Sequence, residues 1–215
     1  MRKVAIFDMD GTIIDSMKKW STVLDDYLTD IGLKLDPDYR KSLNSKPMKE
    51  ILDKVHNDFN IQGTPTDSFN NIMEIMRYNY LNTFSLKPGV KDALDELMDK
   101  NIKMAVATAT PERVAIDAIN KQGLEKYFEF IQTCDNVNLM KFQPEYWNIA
   151  AKNLDSSIEN SIVFEDALYC IETVKKMNGG IVAIADESAN SDKEKIIALS
   201  DHYIEHYDEL NYDIF

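Results

Sequence analysis

The chain has 215 residues, 44% of them hydrophobic, and carries 37 acidic against 24 basic side chains for a formal charge of -13. That length suits one domain with an insertion or two small domains, and an acidic balance without any basic block disfavours a nucleic-acid partner. No run of about 18 apolar residues occurs, so no membrane span is expected, and the first strand opens so close to Met1 that no signal peptide is expected either.

The stretch Lys3 to Ser16 comes first. Its apolar run Val4-Ala5-Ile6-Phe7 reads as a strand buried on both faces. Asp8 and Asp10 follow two apart, so a strand that continued would put both carboxylates on one face. A divalent cation with oxygen ligands, commonly Mg2+, would relieve their repulsion and leave one carboxylate able to attack phosphorus. Gly11 permits a sharp turn, and Thr12 can hydrogen-bond a carboxylate or an oxyanion.

From Ser16 to about Phe84 the apolar residues recur at helical spacing. Ser16 is expected to cap a helix bearing Trp20, Val23, Leu24, Tyr27, Leu28 and Ile31, which Gly32 ends. Asp36-Pro37 opens a short helix, and Pro47 opens another with Met48, Ile51, Leu52 and Val55 inward. Asn60 to Asp67 reads as a loop. A longer helix then carries Phe69, Ile72, Met73, Met76, Tyr80 and Leu81.

After Lys87-Pro88-Gly89 the pattern changes. A helix is expected from Val90 to about Lys100 with Asn101 as a left-handed stop, then a buried strand Met104 to Ala107 and a helix opened by Pro111. Strands Phe128 to Gln132, Ile162 to Phe164, Ile181 to Ala185 and one near Tyr203-Ile204 then alternate with helices at Pro144 to Asn153, Ala167 to Met177 and Lys193 to Leu199. Such alternation predicts a doubly wound parallel α/β sheet. Cys134 and Cys170 match no metal spacing and read as ordinary thiols of a reducing cytoplasm, with a single disulfide left open.

In an open α/β sheet the ligand lies beyond the carboxyl ends of the strands. Polar residues stand at four such ends: Asp8 and Asp10; Thr108, whose hydroxyl can hold a phosphoryl oxygen or cap the next helix; Lys141, a cation for a crowded anionic site; and Glu165-Asp166, a pair that needs a counter-charge, with helix capping by Asp166 as the alternative.

In order and spacing these residues resemble the four motifs of the haloacid dehalogenase superfamily, and the resemblance spans essentially the whole chain. It includes the Pro-Gly-Val lead into the second motif and a helical insertion similar to that family's small cap. The resemblance implies a Rossmann-like core over 1–15 and 85–215 with a cap over 16–84. It further implies Asp8 as nucleophile forming an aspartyl-phosphate, Asp10 as acid and then base, and Thr108, Ala109 and Lys141 on the phosphate. Mg2+ would be held by Asp8, the Asp10 main-chain carbonyl, Asp166 and Glu165. An acid at position 10 disfavours carbon-halogen chemistry.

Three departures stand out from the family's usual pattern: Phe142 in place of Pro, Ala109 in place of Asn, and Cys170 in place of Asp or Gly. Glu165-Asp166 and Thr108-Ala109-Thr110 are similar to the β-phosphoglucomutase and sugar-phosphatase branch. The cap segment Asn44 to Lys49 lacks the Arg a mutase would use on a second phosphate, and Trp20 stands where the mutase has His. The expected function is therefore an Mg2+-dependent phosphatase for a small phosphorylated metabolite, sugar phosphate or nucleotide. A sugar phosphate mutase and a non-catalytic binding or regulatory protein are the alternatives. Lys46 and Lys49 are candidate substrate contacts, and Trp20, Tyr78 and Tyr80 a candidate apolar wall or part of the core.

Overall fold

The computed structural model describes residues 4–43 and 46–215; Lys3, Asn44 and Ser45 of the stretches singled out above lie outside it. Six strands form one parallel sheet: β1 (Val4–Phe7), β2 (Lys103–Thr108), β3 (Ile131–Thr133), β4 (Ser161–Glu165), β5 (Gly180–Ile184) and β6 (His202–Ile204). Their spatial order is β3-β2-β1-β4-β5-β6. The chain winds outward from β1 first one way and then the other, so the order reverses between β1 and β4. All four residues of β1 are buried, as its unbroken apolar run requires of a central parallel strand.

Ten helices accompany the strands among the described residues: α1 (Met17–Asp30), α2 (Pro37–Ser42), α3 (Met48–Phe59), α4 (Pro65–Asn82), α5 (Val90–Asp99), α6 (Glu112–Lys121), α7 (Cys134–Val137), α8 (Pro144–Asn153), α9 (Leu168–Lys176) and α10 (Lys193–Leu199). Strand alternation divides the core between the two faces of the sheet. Ala5 and Phe7 join Val106, Phe164 and the helices before β2, whereas Val4 and Ile6 join Ala105, Val163 and residues of α8 and α9. The first cluster runs without a break from the sheet into the block α1–α4, through Val23, Leu24, Ile72 and Met76.

Polar contacts also tie that helical block to the rest of the fold. Ile14 pairs antiparallel with Leu86, flanked by Asp15 N–H to Ser85 carbonyl (3.0 Å) and Lys87 N–H to Ile13 carbonyl (2.9 Å). Arg77 on α4 also reaches Asp117 on α6 at 2.5 Å.

Several expectations change. The stretch Asn60 to Asp67 is a loop only up to Thr64. There a capping box with Asp67 (Thr64 N–H to Asp67 Oδ2 2.9 Å, Asp67 N–H to Thr64 Oγ1 3.1 Å) starts α4 at Pro65. Ile31 is 44% exposed, because α1 ends one residue before it. The third strand starts later than expected, although the extended lead already pairs through Glu129 N–H to Met104 carbonyl (2.8 Å). Asn101 does adopt a left-handed conformation, at φ 57°. Both cysteines are free thiols.

Candidate active site

The site stands at the carboxyl ends of β1 and β4, on either side of the reversal in strand order. Asp8 extends the first strand by one bond, its N–H donating to Phe164 carbonyl at 2.9 Å. The chain then turns through Gly11 at φ 85°, where a Cβ would meet Asp166 Oδ2 at 2.5 Å. Only glycine fits there. The turn brings Thr12 Oγ1 to Asp166 Oδ1 at 3.3 Å.

Asp8, Glu165 and Asp166 are all buried, with carboxylate oxygens within 4.8 Å of one another. Among the described residues one cation enters the group. Lys141 Nζ, 4% exposed, lies 2.5 Å from Asp8 Oδ1 and also bonds Glu165 Oε1. Glu165 Oε2 accepts from the Asp166 and Ala167 N–H groups, both at 2.8 Å. Lys141 is held from behind by Trp147, whose indole donates to its carbonyl at 2.7 Å and whose ring lies 5.4 Å from its ammonium.

Burial raises the Asp8 carboxyl to about 8, with Lys141 pulling against the shift. Burial, then the Glu165 and Asp8 charges, pushes Asp166 well above the usual carboxylate range. For Lys141 burial works the other way, but Asp8, Cys170 and Glu165 outweigh it and hold the ammonium well above its ordinary value. Three buried carboxylates around one ammonium are short of positive charge. Hard oxygen donors with that deficit fit a hard divalent cation.

Asp10 faces other partners, which corrects the expectation that both carboxylates share one strand face. The strand ends at Phe7, and Asp10 turns to a cluster of donors. Its Oδ1 accepts from Ser16 Oγ at 2.6 Å, from Trp20 Nε1 at 3.2 Å and from the Tyr80 hydroxyl. Its Oδ2 accepts from Thr110 Oγ1 at 2.7 Å. Ser16 does not cap α1 with its side chain: its backbone, at φ -118° and ψ -16°, lacks the extended geometry of a capping residue.

Thr108 is fully buried, its Oγ1 accepting the Thr110 N–H at 3.0 Å, and it caps no helix. Ala109 beside it is exposed. Asp166 likewise caps nothing, since α9 starts behind Ala167. Lys46 is exposed, as is Lys49, whose Nζ stands 4.0 Å from Asp135. The proposed apolar wall does not form: Tyr78 is 66% exposed, while Trp20 and Tyr80 turn polar atoms to Asp10. Sequence reasoning did not place Ser16 and Thr110 at the site, and it singled out Trp20 and Tyr80 for an apolar role instead of as donors to Asp10. Thr110, two residues from Thr108, and Trp20, at the position where the mutase has His, carried the local signals.

Residues 5–184 match the family model of haloacid dehalogenase-like hydrolases. Among curated proteins, the chain is 27% identical over 173 residues to a phosphorylated carbohydrates phosphatase of Thermotoga maritima, covering 80% of each. It is 28% identical over 174 residues to the fructose-1-phosphate phosphatase YqaB of Escherichia coli, covering 79% of this chain and 89% of the other. Among solved structures, CbbY of Rhodobacter sphaeroides in complex with phosphate superposes with a TM-score of 0.82 at 20% identity over 98% and 97% of the two chains, a likeness of fold.

Proposed function

The chain belongs to the haloacid dehalogenase-like hydrolases, and we propose that it is an Mg2+-dependent phosphatase that removes phosphate from a small phosphomonoester, a sugar phosphate first of all, through an aspartyl-phosphate on Asp8. The observation that carries this reading is the division of labour between two carboxylates two residues apart: Asp8 in a buried anionic cluster with a lysine, Asp10 among neutral donors.

Mg2+ would be held by Asp8, the Asp10 main-chain carbonyl and Asp166, the ligands that the family resemblance implies, and the buried cluster that includes Asp8 and Asp166 supports that reading. When bound, the ion neutralises the cluster and polarises a phosphoryl oxygen. Glu165, which the sequence also offers as a ligand, spends its oxygens on Lys141 and on two backbone N–H groups. We assign it to holding Lys141. The ammonium then lies between the nucleophile and the oxygens of the incoming phosphoryl group. Thr108 and the backbone at Ala109 close the phosphate pocket at the end of β2.

Asp8 attacks phosphorus while Asp10 gives its proton to the leaving oxygen. Asp10, now a carboxylate, takes a proton from the water that hydrolyses the aspartyl-phosphate, so that the enzyme returns to its starting state. Residues 16–84 act as the cap over this site and exclude bulk water between the steps. Lys46 and Lys49, exposed on that block, are available to the far end of a substrate.

A mutase would have to hold a second phosphate, and residues 46–49 supply lysines but no arginine. Trp20, which can only donate, gives no proton-accepting partner to Asp10. Both points favour hydrolysis, and so do the two curated phosphatases named above. The free thiols suit a reducing cytoplasm. A panel of sugar phosphates and nucleotides assayed with Mg2+ should show phosphate release that disappears in Asp8→Asn. Release by that variant, or sugar 1-phosphate to 6-phosphate conversion without release, would contradict the proposal.

A further inference from the structure

Asp10 is held from two directions. Thr110 follows directly from the end of β2, whereas Ser16 leads into α1, Trp20 lies on α1 and Tyr80 on α4, all three within residues 16–84. The indole N–H of Trp20 is shared between Asp10 Oδ1 at 3.2 Å and the Tyr80 hydroxyl at 3.0 Å, and that hydroxyl donates onward to the same Oδ1. Tyr80 is 1% exposed, and its ring stands edge-on to Phe84 at 5.0 Å, so its hydroxyl has a fixed position.

A carboxylate offers about four acceptor positions, two on each oxygen. Oδ1 already receives three donors, while Oδ2 receives Thr110 among the described residues. We infer that Trp20 and Tyr80 are positioning residues that saturate Oδ1 from the helical block and leave Oδ2 as the oxygen that carries the transferred proton. The inference rests on the role of Asp10 as acid and base proposed above.

In the first step the proton leaves Asp10 Oδ2 for the leaving oxygen as its bond to phosphorus breaks and the bond from Asp8 forms. In the second, Oδ2 takes a proton from water as the water oxygen bonds to phosphorus and Asp8 is released. Neither Trp20 nor Tyr80 gains or loses a proton. Because both residues, and Ser16 with them, belong to the block proposed as the cap, displacement of that block would remove three of the four donors and free the carboxylate to turn.

Leaving-group dependence tests the inference. An acid matters little when the departing group is p-nitrophenolate and greatly when it is an alkoxide. The assay is kcat/KM with Mg2+ for p-nitrophenyl, phenyl and benzyl phosphate. The expected result in Tyr80→Phe, and separately in Trp20→Phe, is a ratio of p-nitrophenyl to benzyl kcat/KM raised about tenfold or more, a share of the 10²- to 10⁴-fold typical of acid-base help. Tyr78→Phe, two residues away on the same helix but 66% exposed, should keep the wild-type ratio.

An equal fall on all three substrates would mean a structural role only and would overturn the inference. So would an unchanged ratio in both variants while Asp10→Asn raises it. If Asp10→Asn itself left the ratio unchanged, the failure would lie with the acid-base assignment of Asp10. Circular dichroism identifies a variant that does not fold, in which case the other variant decides.

Discussion

Replacing Lys141 by methionine keeps most of the side-chain volume but removes the ammonium from between Asp8 and Glu165. Both partners are buried, Asp8 at 7% and Glu165 at 0% side-chain exposure, so water cannot replace the lost charge. Breaking a buried ion pair from one side costs about 3–5 kcal/mol. In a chain of this length about 2–4 °C of melting temperature accompanies each kcal/mol, so metal-free Lys141→Met should melt roughly 6–20 °C below wild type at about pH 8. The deficit should shrink at about pH 5, where the Asp8 carboxyl, raised to about 8, holds a proton. Thermal melts followed by circular dichroism in EDTA, at both pH values, measure it. A variant that melts with wild type at the higher pH, or a deficit that grows on acidification, would refute the charge arrangement described.

Asp10→Ala should retain at best weak turnover of an aryl phosphate, about 10²- to 10⁴-fold below wild type, which a steady-state assay with Mg2+ reads directly. Because the folded state raises the Asp8 carboxyl to about 8, it holds a proton that the unfolded chain has already released above the usual carboxylate range. This contribution to stability is therefore fully present below about pH 4 and is lost as pH rises through about 8. In EDTA the melting temperature should fall across that window, Mg2+ should raise it more at the alkaline end, and a flat or rising curve would count against the buried triad. Gly11→Ala places a Cβ 2.5 Å from Asp166 Oδ2 at a φ of 85°, so it should cost at least about 1–2 kcal/mol and weaken Mg2+ binding measured calorimetrically.

Local chemistry explains which parts were legible from sequence. A strand buried on both faces leaves a continuous apolar run, and Val4–Phe7, Met104–Ala107 and Ile162–Phe164 each stood out for that reason. The polar residues that end those runs were legible with them, and Asp8, Glu165 and Asp166 do converge. Lys141 was read as standing at the end of the third strand, but α7 separates it from β3; its partners are 133 and 24 residues away and were legible only through motif order. Ser16 looked like a helix cap because a serine before a helix usually is one, yet its backbone is not extended as a cap requires, and its hydroxyl donates to Asp10 at 2.6 Å. Tyr80 fits the apolar stripe of α4 by spacing, and nothing in its neighbours shows that its hydroxyl ends on a carboxylate 70 residues earlier.

Trapping the covalent intermediate tests the central claim most directly. Asp10→Asn, deprived of the base for the second step, is mixed with p-nitrophenyl phosphate and Mg2+, quenched in acid, and digested. Mass spectrometry should find one phosphoryl group on the peptide that begins at Val4, fragmenting to Asp8, and none in the Asp8→Asn protein treated the same way. A phosphoryl group on any other residue, or turnover by Asp8→Asn, would contradict the account.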